Sequence, residues 1–160
     1  MNLSEILEEM NRRLKTDAFK LDEQRSCRLS VGDGPVVEIL EFPNQGRVLL
    51  YASLGPEPVE GKDEFYRLLM RSMFLFKDTL GCTFALDPET DFICLQRTDY
   101  LDRLTPDSFY ELFEGFCNLA DNWNEMLNGF RPALEAAVAL RREADGKVEG
   151  GLADGTFLRV

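Results

Sequence analysis

The sequence contains no histidine. Histidine is the usual general base near neutral pH, the usual partner of a serine or cysteine nucleophile, and the commonest zinc ligand. Its absence removes most hydrolytic and zinc-dependent mechanisms from consideration. We therefore expect no metal site and no histidine-assisted catalysis.

The cysteines include no Cys-x-x-Cys pair. A zinc site, a thioredoxin-type redox pair and an iron–sulfur cluster all need closely spaced cysteines, so none of them is expected. Each cysteine lies among apolar residues, which is typical of reduced cysteines that act as small hydrophobic core residues. A reactive thiol is the alternative. The four positions are Cys27, Cys82, Cys94 and Cys117.

Glycine-rich phosphate-binding loops are also missing, since neither G-x-x-x-x-G-K-[ST] nor G-x-G-x-x-G occurs. Acidic residues are abundant, but they fall on the polar sides of the predicted helices and are interpreted as solvated surface. We therefore predict no enzyme activity, no catalytic residue and no cofactor. An enzyme that uses a carboxylate or a cysteine without histidine stays open, and a pocket converging on Cys27 or Cys94 would support it.

Positive charge and long uncharged runs are scarce. Against 29 acidic residues there are 18 Lys and Arg, and the net charge of −11 repels nucleic-acid phosphates and anionic lipids. The longest run without a charged residue, 48–56, is far shorter than the roughly 20 apolar residues of a membrane helix. The acidic N-terminal segment is unlike a secretory signal. We expect a cytoplasmic protein that binds no nucleic acid and spans no membrane.

Hydrophobic periodicity over the first part of the chain predicts a helix followed by a sheet. Period-two alternation near residues 27–31, then at 36–42 and 47–54, predicts a three-stranded antiparallel meander with turns at 32–35 and 43–46. The preceding helix presents an apolar arc of only about 100°. Its apolar residues are Leu3, Ile6, Leu7, Met10 and Leu14.

The second part predicts a helix, a hairpin and another helix. Helical periodicity covers 62–80, two short apolar runs at 82–86 and 92–95 flank a turn-rich loop, and Thr105 and Pro106 open the last helix. The fold class is therefore α+β, in the order helix, three-strand antiparallel meander, helix, β-hairpin, helix.

Pro132 is predicted to interrupt the last helix. Beyond it we expect one short helix over 133–144 and a mobile or loosely docked tail over 145–160, which carries four glycines. The chain is thus divided into a main domain, 1–131, and a C-terminal short helix with a tail, 132–160.

The predicted helix 62–80 has too wide an apolar face for one small sheet to cover, because its apolar residues span an arc of about 260°. The excess surface predicts a homodimer. The alternative is that the last helix and the tail cover both flanks. The predicted dimer-interface residues are Tyr66, Met70, Met73 and Phe74.

A partner-binding surface is predicted on the first helix and the meander. These elements offer more apolar surface than so short a helix can cover, so part of that surface is expected to remain a groove. The alternative is that the helix seals this face and the residues are plain core. The predicted partner-binding residues are Leu7, Met10, Leu14, Cys27, Leu29, Val31, Leu40 and Phe42.

The order of elements, together with the segments 48–55, 68–74, 81–90 and 116–127, resembles the class I type III secretion chaperones, which include the Tir chaperone. The similarity covers roughly residues 1–130, and the extension beyond Arg131 has no counterpart in the family. The resemblance implies a bacterial cytoplasmic, ATP-independent chaperone. Such a chaperone dimerises and holds the N-terminal region of a secreted effector in an extended form.

Two kinds of partner remain open for a non-enzymatic dimer of this fold. A secretion chaperone binds a disordered N-terminal segment, whereas a regulatory or scaffolding dimer binds a folded protein. The state of the bound partner therefore discriminates between them.

Overall fold

The computed structural model describes the backbone of residues 2–152 and the side chains of residues 2–147. Its elements follow the predicted α+β order. The helices are α1, Leu3–Leu14; α2, Lys62–Ser72; and α3, Pro106–Leu152. The strands are β1, Ser26–Leu29; β2, Val37–Phe42; β3, Arg47–Pro56; β4, Thr83–Leu86; and β5, Phe92–Tyr100. Short 3-10 turns cover Pro43–Gln45, Phe74–Phe76 and Leu101–Arg103.

Helix α1 begins with a complete capping box. The Asn2 side chain accepts a hydrogen bond from the Glu5 N–H at 3.0 Å, and the Glu5 carboxylate accepts one from the Asn2 N–H at 3.0 Å. Two otherwise unpaired backbone donors are thereby satisfied. The helix ends where Lys15 takes the left-handed conformation, with φ of 51°.

The strands form one antiparallel sheet in the order β1-β2-β3-β5-β4. The register pairs Cys27 with Ile39 and Ile39 with Leu50, so these three side chains share a face. That inner face packs against the helices in the hydrophobic core. The opposite, outer face carries Leu40 and Leu49, which are also register partners.

The predicted helix 62–80 is shorter than expected. It ends at Ser72, and Leu75, Phe76 and Leu80 adopt positive φ angles that an α-helix excludes. Two contacts hold the segment away from the helical path: the Phe84 N–H donates to Met73 Sδ at 3.2 Å, and Trp123 Nε1 donates to the Asp78 carbonyl at 3.0 Å. Tertiary contacts with β4 and α3 therefore override the helical periodicity.

The predicted break at Pro132 is wrong, because α3 continues through this residue as one helix of 47 residues. Proline removes one helical hydrogen bond, but contacts on both sides of it hold the helix in place. The Arg131 guanidinium donates to the Leu54 carbonyl at 2.6 Å, and Leu134 is buried against Gly61. The predicted short helix 133–144 is thus a part of α3.

The predicted tail begins as a helix. Residues 145–152 continue α3, and residues 153–160, where the rest of the mobile or loosely docked tail was placed, lie outside the described residues. The division into 1–131 and 132–160 stays a prediction. Among the described helices, none combines the length and the hydropathy that a bilayer crossing requires.

Candidate partner-binding and dimer surfaces

The predicted partner-binding residues occupy two faces of the sheet and differ in exposure. Four of them belong to the core, which corrects their placement on an accessible surface. Their side chains are packed in the dense hydrophobic core, so they offer little surface to a partner. These buried residues are Leu7, Met10, Cys27 and Leu29.

The other four predicted partner-binding residues are accessible. Leu14 is 44% exposed and Phe42 is 40% exposed, Val31 is also exposed, and Leu40 is half-buried. Leu40 and Phe42 point to the outer face, since strand alternation places them opposite the buried Val37 and Ile39. One continuous surface from α1 to Phe42 is therefore not formed.

A groove of about 400 Å³ lies between α1 and the loop that follows it. Asn11 organises this loop, because its amide accepts from the Phe19 N–H at 3.0 Å and donates to the Phe19 carbonyl at 2.8 Å. The predicted residue Leu7 forms part of the wall. Sequence reasoning missed the loop side of this groove, although the apolar Phe19 and Leu21 signalled it. The lining residues are Ser4, Leu7, Glu8, Asn11, Phe19, Lys20, Leu21 and Arg25.

The predicted dimer residues lie close together. Tyr66, Met70 and Met73 line one groove of about 190 Å³ between α2 and the β4–β5 hairpin. Phe74 follows directly and is 69% exposed. Leu75, Phe76 and Leu80 are also exposed large apolar side chains, so the patch extends beyond the helix itself. We call residues 70–80 and this groove the α2 patch.

Tyr66 is fixed at the edge of the α2 patch by polar contacts. Its hydroxyl donates to Glu57, which also accepts from Lys62. Burial, followed by the bond to Glu57, raises the pKa of Tyr66 to about 12. The bonds from Lys62 and Tyr66 lower the pKa of Glu57. Tyr66 therefore stays protonated and Glu57 ionised at neutral pH.

The cysteines form no reactive site in the described part of the chain. Burial raises the pKa of Cys82 to about 11 and that of Cys117 to about 12, and it also raises the pKa values of Cys27 and Cys94. The thiolate is the nucleophilic form, so these groups are weak nucleophiles at neutral pH. No cluster of acidic residues and cysteines in residues 2–147 is placed to hold a metal ion.

The raised thiol pKa values predict a loss of stability at alkaline pH. Below pH 9 the cysteine thiols are protonated in the folded and in the unfolded protein. Above pH 9 the thiols of the unfolded chain deprotonate first, because their pKa is lower than in the folded protein. This difference favours unfolding. We expect the free energy of unfolding to fall between about pH 9 and pH 11. For Cys82 alone the fall is up to about 2 kcal/mol.

Urea denaturation of the wild type and of Cys82→Ala across this pH range measures the effect. The variant loses some stability at every pH through the missing sulfur, but its slope above pH 9 is expected to be shallower than that of the wild type. Equal slopes would show that Cys82 does not titrate differently in the two states.

Comparison with known proteins identifies the family. The Tir chaperone protein (CesT) family matches residues 5–124. The chain belongs to this family. The extension of α3 beyond residue 124 lies outside the match. A comparison with curated protein sequences gives no match.

Solved structures share the fold. A chain of the ExsC–ExsE complex is 22% identical, with a TM-score of 0.66, covering 79% of this chain and 97% of that one. A chain of the HopA1–SchA chaperone–effector complex is 13% identical, with a TM-score of 0.60, covering 78% of this chain and 98% of that one. A third similar structure is the complex of the Yersinia pestis type III secretion chaperone SycH with a fragment of YscM2. One of its chains is 16% identical, with a TM-score of 0.56, covering 74% of this chain and 97% of that one.

Proposed function

We propose that this protein is a bacterial cytoplasmic chaperone of type III secretion. It acts without ATP and without catalysis, forms a homodimer, and keeps the N-terminal region of a secreted effector soluble and extended. Membership of the Tir chaperone protein (CesT) family, over residues 5–124, carries this proposal. Two structures of similar fold are a chaperone–effector complex and a secretion chaperone with a bound fragment.

The α2 patch is the dimer surface in this proposal. Met70 is 65% exposed and Phe74 is 69% exposed, and they adjoin the groove that contains Met73. Exposed apolar groups of this size are costly in water, and a second copy that presents the same patch buries them symmetrically. Phe74 remains largely exposed with the described part of α3 in place, so coverage of both flanks of α2 by the last helix does not account for it.

The effector segment is proposed to bind in the groove beside α1 and to extend over Leu14. The groove offers the apolar walls of Leu7, Phe19 and Leu21, with Glu8 among its lining residues. Apolar side chains of an extended segment can occupy such a groove, while the net charge of −11 attracts basic segments. Val31 is a further exposed contact, and Leu40 and Phe42 remain proposed partner-binding residues on the outer face, outside this groove.

Replacement of Leu14 by glutamate is expected to weaken effector capture at least tenfold while leaving the fold intact. Leu14 is largely exposed, so a carboxylate is hydrated there in the free protein, but an apolar partner side chain cannot pack on it. The measurement is the amount of polypeptide that co-purifies from the native cytoplasm, identified by mass spectrometry, with limited proteolysis reporting whether the captured segment is extended.

Leu140→Glu is the matched control for this experiment. Leu140 is also an exposed leucine on a helix, and it lies about 50 Å along α3 from Asp107, which contacts α1 through Arg13. This variant should capture as the wild type does. If Leu14→Glu also captures normally, the effector surface lies elsewhere; if only folded domains are captured, the chaperone function itself is contradicted.

A further inference from the structure

The Tyr100 ring on the outer face of the sheet contacts two arginines. The guanidinium carbon of Arg47 is 4.9 Å from the centre of the Tyr100 ring, and that of Arg103 is 5.1 Å away. Arg47 also donates to the Tyr100 hydroxyl at 2.9 Å. Cation–π attraction and this hydrogen bond hold two positive groups against one aromatic ring.

Neither arginine forms an ion pair with an acidic residue among residues 2–147. The neighbouring arginines of the same sheet region differ, because Arg25, Arg28 and Arg97 each contact a carboxylate. The Arg47 Nε–H is shielded from solvent and has no acceptor. Two adjacent cations without counter-charges are unusual in a chain of net charge −11, in which acidic residues are in excess.

An exposed phenylalanine adjoins the two arginines. The register pairs Phe42 with Arg47 and Arg47 with Tyr100, so the three side chains form one row across β2, β3 and β5 on the outer face. Phe42 and Tyr100 are 40% and 41% exposed. The solvent face of an antiparallel sheet is usually polar, and aromatic residues in such a row are typical of protein interfaces.

We propose that Phe42, Arg47, Tyr100 and Arg103, which we call the arginine platform, bind an acidic side chain of a protein partner. A carboxylate accepts hydrogen bonds from guanidinium groups in a planar geometry, and an apolar residue next to it in the partner packs on Phe42. Charge complementarity selects a short acidic segment. A long polyanion such as nucleic acid is repelled by the remaining negative charge of the protein.

The arginine platform is a second surface beyond the proposed effector groove. It lies on the outer face of the sheet, whereas α1 packs on the inner face. The cations of the groove also differ from those of the arginine platform, because Lys20 and Arg25 each pair with a carboxylate. The protein would therefore hold one segment on each face at the same time.

Binding of three fluorescein-labelled peptides of 12 residues tests this proposal. They carry Glu-Phe, Gln-Phe or Lys-Phe pairs in a Gly-Ser background, and fluorescence anisotropy measures their affinity at low salt. The Glu-Phe peptide is expected to bind tenfold or more tightly than the Gln-Phe peptide, the difference expected for one charge-assisted hydrogen bond. Arg103→Gln should remove this difference, as should Arg47→Gln.

Arg28→Gln is the matched control, because Arg28 lies on the same face but already pairs with Glu38. It should leave Glu-Phe binding unchanged, and so should Leu14→Glu, which separates the arginine platform from the effector groove. Arg103 is exposed, so its replacement keeps the test valid even if Arg47→Gln unfolds the protein. Equal binding of the Glu-Phe and Gln-Phe peptides, tighter binding of the Lys-Phe peptide, or binding of single-stranded RNA alone would overturn the proposal.

Discussion

Replacement of Phe74 by aspartate is expected to weaken the dimer at least a hundredfold while the protomer remains folded. Phe74 is the most exposed large apolar residue in the α2 patch, so the free protomer tolerates the carboxylate. In the dimer the same carboxylate would be buried against apolar side chains without a partner, which costs several kcal/mol. Sedimentation velocity over nanomolar to micromolar concentrations, with circular dichroism as a check of the fold, measures the effect.

Leu14→Asp serves as the control for this prediction. It introduces the same charge at an exposed apolar residue of a different helix, and it should leave the dimer intact. Met73→Glu is a second, harsher variant, because Met73 is half-buried and accepts a hydrogen bond from Phe84. A wild type that is monomeric at micromolar concentration would contradict a dimer built on the α2 patch.

Gly61→Ala is expected to destabilise the protein by about 2–5 kcal/mol. Gly61 has a φ of +75°, where a side chain costs about 1–2 kcal/mol. A Cβ at this position would also lie 2.7 Å from Leu134 Cγ, and overpacking of this kind costs about 1–3 kcal/mol. Chemical denaturation measures the free energy of unfolding of each variant.

Two further variants separate strain from steric overlap. Gly46→Ala places a Cβ at a φ of +61° with no atom within 4 Å, so only the backbone strain of about 1–2 kcal/mol should appear. Combining Gly61→Ala with Leu134→Ala removes the overlap, and the double variant should lose less stability than the two single variants together. Additive losses would show that α3 does not press on this turn.

The elements that local sequence patterns determine were predicted well. The period-two alternation from Val37 to Phe42, flanked by turn residues, specifies a strand whatever else the chain does. The pair Thr105 and Pro106 marked the start of α3, and the Thr105 hydroxyl accepts from the Ser108 N–H at 3.2 Å. Such signals are local, so a sequence reading captures them.

Features that depend on contacts between distant residues were missed. Nothing near Met73 indicates that its sulfur accepts a hydrogen bond from Phe84 and bends the chain away from the helix. Pro132 is a helix breaker by local rules, but α3 continues through it, next to the hydrogen bond from Arg131 to the Leu54 carbonyl. Both outcomes depend on partners that the fold brings together.

The exposure of the proposed partner-binding residues was predicted only in part, for a physical reason that the sequence does contain. Cys27 and Leu29 alternate onto the inner face, whereas Leu40 and Phe42 alternate onto the outer face. If the alternation of β1 and that of β2 had been combined in one paired register, the residues of the inner face would have been separated from those of the outer face. The arginine platform was not predicted, because Phe42 and Arg47 reach Tyr100 only after β2, β3 and β5 pair.

The buried cysteines also provide intrinsic reporters of local opening. Cys27, Cys82 and Cys94 lie in β1, in the turn before β4, and in β5, and each is fully enclosed. A thiol reagent reacts with each one only when its surroundings open, so the three labelling rates report three separate opening equilibria. Partner binding beside α1 should slow labelling of Cys27, and dimer formation should slow labelling of Cys82. The native cysteines can therefore show which of the protein's surfaces is occupied, without an introduced labelling site.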